Sequence, residues 1–111
     1  MIIALGDIYA QIPRREQVRE LMRETQARVR EQPGCESYAF AESLEDPGHF
    51  VVVEQWRDQQ ALDEHFHSAA FADYQAQITG WLVRTSELRV HTVEASYAPY
   101  TSSPLASPQD D

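Results

Sequence analysis

Along positions 1–94 the spacing of apolar side chains alternates between a period of about 2 and one of about 3.6 residues. This alternation constrains the fold more tightly than any other feature of the chain. Ile2 to Ala10 is short, rich in Ile and Tyr, and reads as a strand. It stops at Ile12-Pro13, because the residue before a proline is pushed out of the α region. Pro13 suits the first turn of a helix, where its missing N–H would have no partner anyway. Val18, Leu21, Met22, Thr25 and Val29 then share one helical face. Glu16, Arg19, Glu20, Arg23, Glu24 and Arg28 alternate in charge on the other, as a solvated, salt-bridged surface does.

Pro33-Gly34 ends that helix, and Cys35 to Ser43 follows as a second strand. Its two sides differ: Cys35, Ser37, Ala39 and Ala41 are small, whereas Tyr38 and Phe40 are large and aromatic. Glu45-Asp46-Pro47-Gly48 is a turn by composition, and His49 to Trp56 is the next strand. Asp58 suits the N-cap of a helix carrying Ala61, Leu62, His65 and Phe66. Ser68 can cap a second helical piece with Phe71, Tyr74, Ile78, Trp81 and Leu82 on one side. A last strand runs near Glu87 to Val93. The order β-α-β-β-α-β predicts an α+β, ferredoxin-like fold with both helical regions on one face of an antiparallel sheet.

Phe50-Val51-Val52-Val53 places apolar side chains on both faces of its strand, yet helices can cover only one. A second copy of the same sheet is the simplest cover, so a homodimer is expected. From Ala95 onward three prolines and four serines block helix and sheet ladders. Residues 95–111 therefore read as a tail appended to a 1–94 domain, either disordered or extended as an arm through Tyr97, Tyr100 and Leu105. Acids outnumber bases by 18 to 9 and there is no lysine, which argues against nucleic acid and anionic membranes as partners. The Phe50–Val53 run is far short of the ~20 residues of a bilayer span, and no signal-peptide pattern is visible; a cytoplasmic protein is expected. The single cysteine, Cys35, excludes an internal disulfide and reads as a small buried side chain rather than a nucleophile.

An ordered series runs through the chain: Pro33-Gly34-Cys35, Tyr38, Asp46-Pro47 with Phe50, Glu54-Gln55-Trp56-Arg57-Asp58, Ala61-Leu62, His65-Phe66 and Phe71. In this series the chain resembles the antibiotic biosynthesis monooxygenase domain, a small dimeric α+β barrel of ferredoxin-like halves. The resemblance spans residues 1–94. Ile12-Pro13-Arg14 lacks the glycine often found where the first helix of that family begins, and the tail has no counterpart. What the resemblance implies is a cofactor-independent oxygenase acting on a small aromatic substrate, quinol- or anthrone-like, with dioxygen. Other members degrade haem, and related folds only bind small ligands, so the site must decide.

Cofactor-free oxygenation needs an apolar pocket, a proton acceptor, and donors for the resulting oxyanion. His65 is the candidate base, with a reference pKa near ~6.5, although a structural hydrogen bond would explain it as well. Tyr74 is the candidate oxyanion donor, and Trp56, Phe66, Phe71 and Trp81 are candidate stacking walls or ordinary core. Asp7 stands among apolar strand residues, where either a pocket role or exposure at a sheet edge accounts for it. Glu54 shares a strand face with Trp56 and is expected to orient Arg84 or Tyr38, most simply as a structural ion pair. No metal site is expected: His65 and His67 are two apart, roughly 200° around a helix, with no suitably spaced carboxylate. For haem, the positions where degrading relatives carry an asparagine and an axial histidine hold Asp7 and Gln75.

Overall fold

A computed structural model of the chain describes residues 1–105. Four strands, β1 (Ile2–Tyr9), β2 (Cys35–Glu42), β3 (His49–Trp56) and β4 (Glu87–Thr92), form one sheet in the order β2-β3-β1-β4. Every neighbouring pair is antiparallel. Between β1 and β2 lies helix α1 (Arg15–Val29), entered through a 3₁₀ turn at Ile12–Arg14 that carries Pro13. The segment between β3 and β4 holds α2 (Gln59–Phe66) and α3 (Ala69–Ile78), with a second 3₁₀ turn at Thr79–Trp81. This is the ferredoxin-like arrangement that the periodicity predicts.

Local chemistry accounts for the boundaries. Asp58 caps α2 by accepting from the Ala61 N–H at 2.9 Å, and Ser68 caps α3 by accepting from the Phe71 N–H at 3.2 Å. The two caps break one helical region into two short helices, and the bend turns the aromatic side of α3 back over the sheet. Gly48 closes the β2–β3 turn with φ +84°, and a Cβ there would meet the Ala10 carbonyl oxygen at 2.9 Å. On α1 the buried residues are Val18, Leu21, Met22, Thr25 and Val29, the face read from their spacing.

Alternation gives the sheet two unlike faces. Ile2, Ala4, Gly6 and Ile8 of β1 join Phe50, Val52, Glu54 and Trp56 of β3 beneath the helices, and all are buried. The other face carries Leu5 and Val53, paired in register and 43% and 45% exposed. Asp7 also lies on that open face, where its Oδ1 sits 2.8 Å from His49 Nε2. Its exposure does not come from an edge position, because β1 is an interior strand. His49 stacks on Tyr9 at 4.5 Å, and the Arg84 guanidinium lies 3.5 Å over the Tyr9 ring. Residues 95–105 form neither helix nor strand, and Tyr97, Tyr100 and Leu105 are exposed. The tail expected over 95–111 continues outside the described residues. No helix among the described residues is long and apolar enough to cross a membrane.

Candidate active site

The sheet and α3 enclose a cavity of about 380 Å³. Gly6 of β1 leaves room for it, with Ile8 of the same strand in the lining. A Cβ on Gly6 would come within 3.0 Å of Leu88 Cδ1 and 3.2 Å of Val52 Cγ1, so any larger residue would intrude. Tyr38 and Phe40 of β2 and Phe66, Phe71 and Tyr74 of the helices make aromatic walls. Val52, Ile78, Leu82, Leu88 and Val90 complete the apolar surface, and Gln75 and Ser86 add polar atoms.

One carboxylate is built into that lining. Glu54 is 3% exposed and lies in register between Ala4 of β1 and Tyr38 of β2. Its Oε1 accepts from Trp56 Nε1 at 2.9 Å, a same-face neighbour two positions on. Burial disfavours the charged form and raises its pKa to about 7, while the Trp56 hydrogen bond pulls the other way. The Tyr38 and Tyr74 phenols are pushed up, first by burial and then by the nearby Glu54 charge, so both remain neutral donors. The cavity thus combines a proton acceptor poised near neutrality, two phenolic donors and flat apolar walls.

The profile of the antibiotic biosynthesis monooxygenase family matches residues 1–77. The chain belongs to that family. Across 92 residues it is 27% identical to protein sll1783 of Synechocystis sp., covering 83% of this chain and 63% of that protein. A 56-residue stretch is 41% identical to Rv0793 of Mycobacterium tuberculosis, named as a candidate monooxygenase, covering 50% and 54%. The chain therefore spans between 54% and 63% of the length of these curated relatives. The solved structure of Rv0793 superposes with a TM-score of 0.80 at 27% identity, covering 87% of this chain and 98% of that one. A family member from Deinococcus radiodurans superposes at 0.86 with 21% identity, covering 91% and 100%, a likeness of fold alone.

Within this antibiotic biosynthesis monooxygenase domain, the residues singled out in the sequence take different places. Tyr74, Phe66 and Phe71 line the cavity. Trp56 is 0% exposed and stands behind Glu54, so it holds the acid rather than offering a face to a ligand. Trp81 is half-buried in the 3₁₀ turn, packed against the core away from the lining. Asp7 borders the cavity through β1, but its carboxylate turns to the open face. Glu54 makes no ion pair with Arg84, which lies over Tyr9 instead; the expectation of a structural pair is corrected to a hydrogen bond from Trp56.

His65 is 2% exposed, in a cage of Trp56, Tyr38, Phe66 and Phe71 with ring centroids 4.9–5.5 Å away. Its Nδ1 lies 2.9 Å from Gln32 Oε1, and Gln32 Nε2 donates to Ser68 Oγ, which fixes the amide and leaves the imidazole proton on Nδ1. Among the described residues Nε2 has no partner, and burial lowers the His65 pKa to about 4. Glu54, Tyr38 and Gly6 were missed as site residues. Their signals were a lone acid on the Phe50-Val52-Trp56 face and a glycine inside a strand.

The resemblance also takes in haem-degrading proteins, and the described residues of the lining offer no imidazole or thiol to haem iron. Among the described residues, no three His, Cys, Asp or Glu side chains gather within reach of one metal ion.

Proposed function

We propose that the protein is a cofactor-independent monooxygenase that oxidises a small, flat, electron-rich aromatic substrate of the quinol or anthrone type with dioxygen. The observation that carries this reading is Glu54, a buried carboxyl with a pKa raised to about 7 beside two neutral phenols in an aromatic cavity. We assign the base to Glu54 rather than His65, because an imidazole with its pKa lowered to about 4 holds a proton poorly at neutral pH.

The chemistry balances without an external reductant. Glu54 takes a proton from the substrate, and its buried negative charge passes to the ring, so no net charge is created in the cavity. Tyr38 and Tyr74 donate to the oxyanion as it forms. The anion reduces dioxygen and bonds to it, the peroxide recovers the proton, and loss of water leaves a new carbonyl. All four electrons that dioxygen accepts come from the substrate, from one carbon of an anthrone or from the attacked carbon and the two hydroxyl-bearing carbons of a quinol. Phe66 and Phe71 supply stacking faces, and Trp56 holds Glu54 through its Nε1–H.

In this reading the working unit is a homodimer whose open sheet faces cover each other. The support is the half-exposed Leu5–Val53 pair at the centre of an otherwise uncovered sheet. Sedimentation at micromolar concentration is expected to give twice the chain mass, and Val53→Asp to shift it toward monomer.

The test is oxygen uptake. After exhaustive metal removal, a reduced quinol or an anthrone should drive consumption above the uncatalysed rate, with kcat/KM rising as pH passes through about 7. If such rings bind but uptake stays at the background rate, the oxygenase reading fails and a ligand-binding accessory module takes its place.

A further inference from the structure

Charge in the cavity is one-sided. None of the residues lining it is Arg, Lys or His. Of the three carboxylates that line it among the described residues, two turn away: Asp7 faces His49 on the open side of the sheet, and Glu87 Oε1 accepts from Arg89 Nη2 at 3.0 Å. Among the described residues that leaves Glu54 as the one carboxylate of the lining on the cavity side, with Tyr38 and Tyr74 as the other titratable groups there. The four arginines of α1 are committed elsewhere, Arg15 and Arg19 to Glu42, Arg23 to Glu20 and Arg28 to Asp73.

We infer that the cavity acts as a charge filter, accepting rings without ionised acidic substituents and rejecting the same ring bearing a carboxylate, sulfate or phosphate. This rests on the reading of the cavity as the substrate site and narrows its substrate class. An anionic substituent would lose its hydration and meet no cation, and an ionised Glu54 at the same site would repel it. A neutral ring loses little on entry, and its hydroxyl can donate to Glu54. Rejection therefore has two components: a desolvation cost independent of Glu54, and a repulsion that disappears when Glu54 is neutral.

The experiment compares 1,4-dihydroxynaphthalene with 1,4-dihydroxy-2-naphthoate, one ring with and without a carboxylate. Binding is read anaerobically by titration calorimetry, so the result does not depend on turnover. At about pH 8 the neutral ring is expected to bind at least ~10-fold more tightly. The ratio should narrow at about pH 5.5, where Glu54 is protonated, and the Glu54→Gln variant should show the narrowed ratio at both values. Equal or tighter binding of the naphthoate at pH 8, a ratio unchanged by Glu54→Gln, or no binding of either ring overturns the inference. Selective binding of the neutral ring without oxygen uptake upholds the filter while removing the oxygenase reading.

Discussion

Glu42 and Glu54 are the same residue type, on adjacent strands, on the same helix-facing side of one sheet, and their surroundings drive them in opposite directions. At the end of β2, Arg15 Nε and Arg19 Nη2 each donate to Glu42 at 2.6 Å, and the Gly48 N–H donates at 3.1 Å. Those bonds, Arg15's first, hold its pKa down to about 2. Toward the cavity, Glu54 has one donor, Trp56 Nε1, against burial among aromatic rings, and its pKa rises to about 7. The comparison teaches how surroundings set the proton affinity of one residue type. A carboxylate saturated by guanidinium donors is a structural clamp tying α1 to β2, and its basicity is spent. A carboxylate left nearly alone among buried aromatic rings keeps its affinity for a proton at neutral pH.

The largest expected effect separates the two by activity. Glu54→Gln should lower oxygen uptake by ~10²-fold or more, the usual worth of a positioned base, whereas Glu42→Gln should change it by less than ~3-fold. Comparable losses in both variants, measured on folded protein, would break the distinction.

Packing within the aromatic cage gives the next effect. His65→Ala removes a ring from the aromatic cage, and thermal or urea unfolding should show a loss of about 2–4 kcal/mol. Its pH–rate profile should still turn near pH 7, because the titrating group is Glu54. A profile that flattens or moves would return the base to His65.

Smaller still, Glu42→Gln should cost about 1–2 kcal/mol near neutral pH, discounted because its arginine partners are about one-third exposed. Glu42 has a folded pKa below the ordinary glutamate value of 4.5, so its contribution is present above that value and fades as pH falls toward about 2. Glu54 has the reverse sign. Its folded pKa lies above 4.5, so its contribution is present below 4.5 and is lost as pH rises to about 7. Relative to wild type, Glu54→Gln should therefore gain stability as pH is raised through that window, by about 1–3 kcal/mol. Parallel rather than opposed pH series for the two variants would remove the electrostatic contrast.

Removing residues after Ala95 should leave both glutamates and the melting temperature nearly unchanged, since Tyr97, Tyr100 and Leu105 touch little of the core. A melt lower by many degrees would make the tail a structural arm.

Much of this molecule was legible along the chain. The apolar period marked each strand and helix, Asp58 and Ser68 announced their caps, and the Phe50–Val53 run announced a sheet with a second apolar face. These are local matters: period, capping and turn chemistry depend on neighbours a few positions away, and those neighbours are written in the sequence. Parity alone also placed Glu54 on the inner face with Trp56. What parity could not supply was the company each acid would keep. Arg15 and Arg19 reach Glu42 from 27 and 23 positions away, while the Phe71 and Tyr74 that share Glu54's cavity come from a helix beyond β3. The His65 reference pKa near neutrality likewise pointed to a base until burial moved it to about 4. A pKa is set by desolvation and by charges within a few ångströms in space, so the affinities of Glu42, Glu54 and His65 for a proton follow from the tertiary structure and not from their residue types.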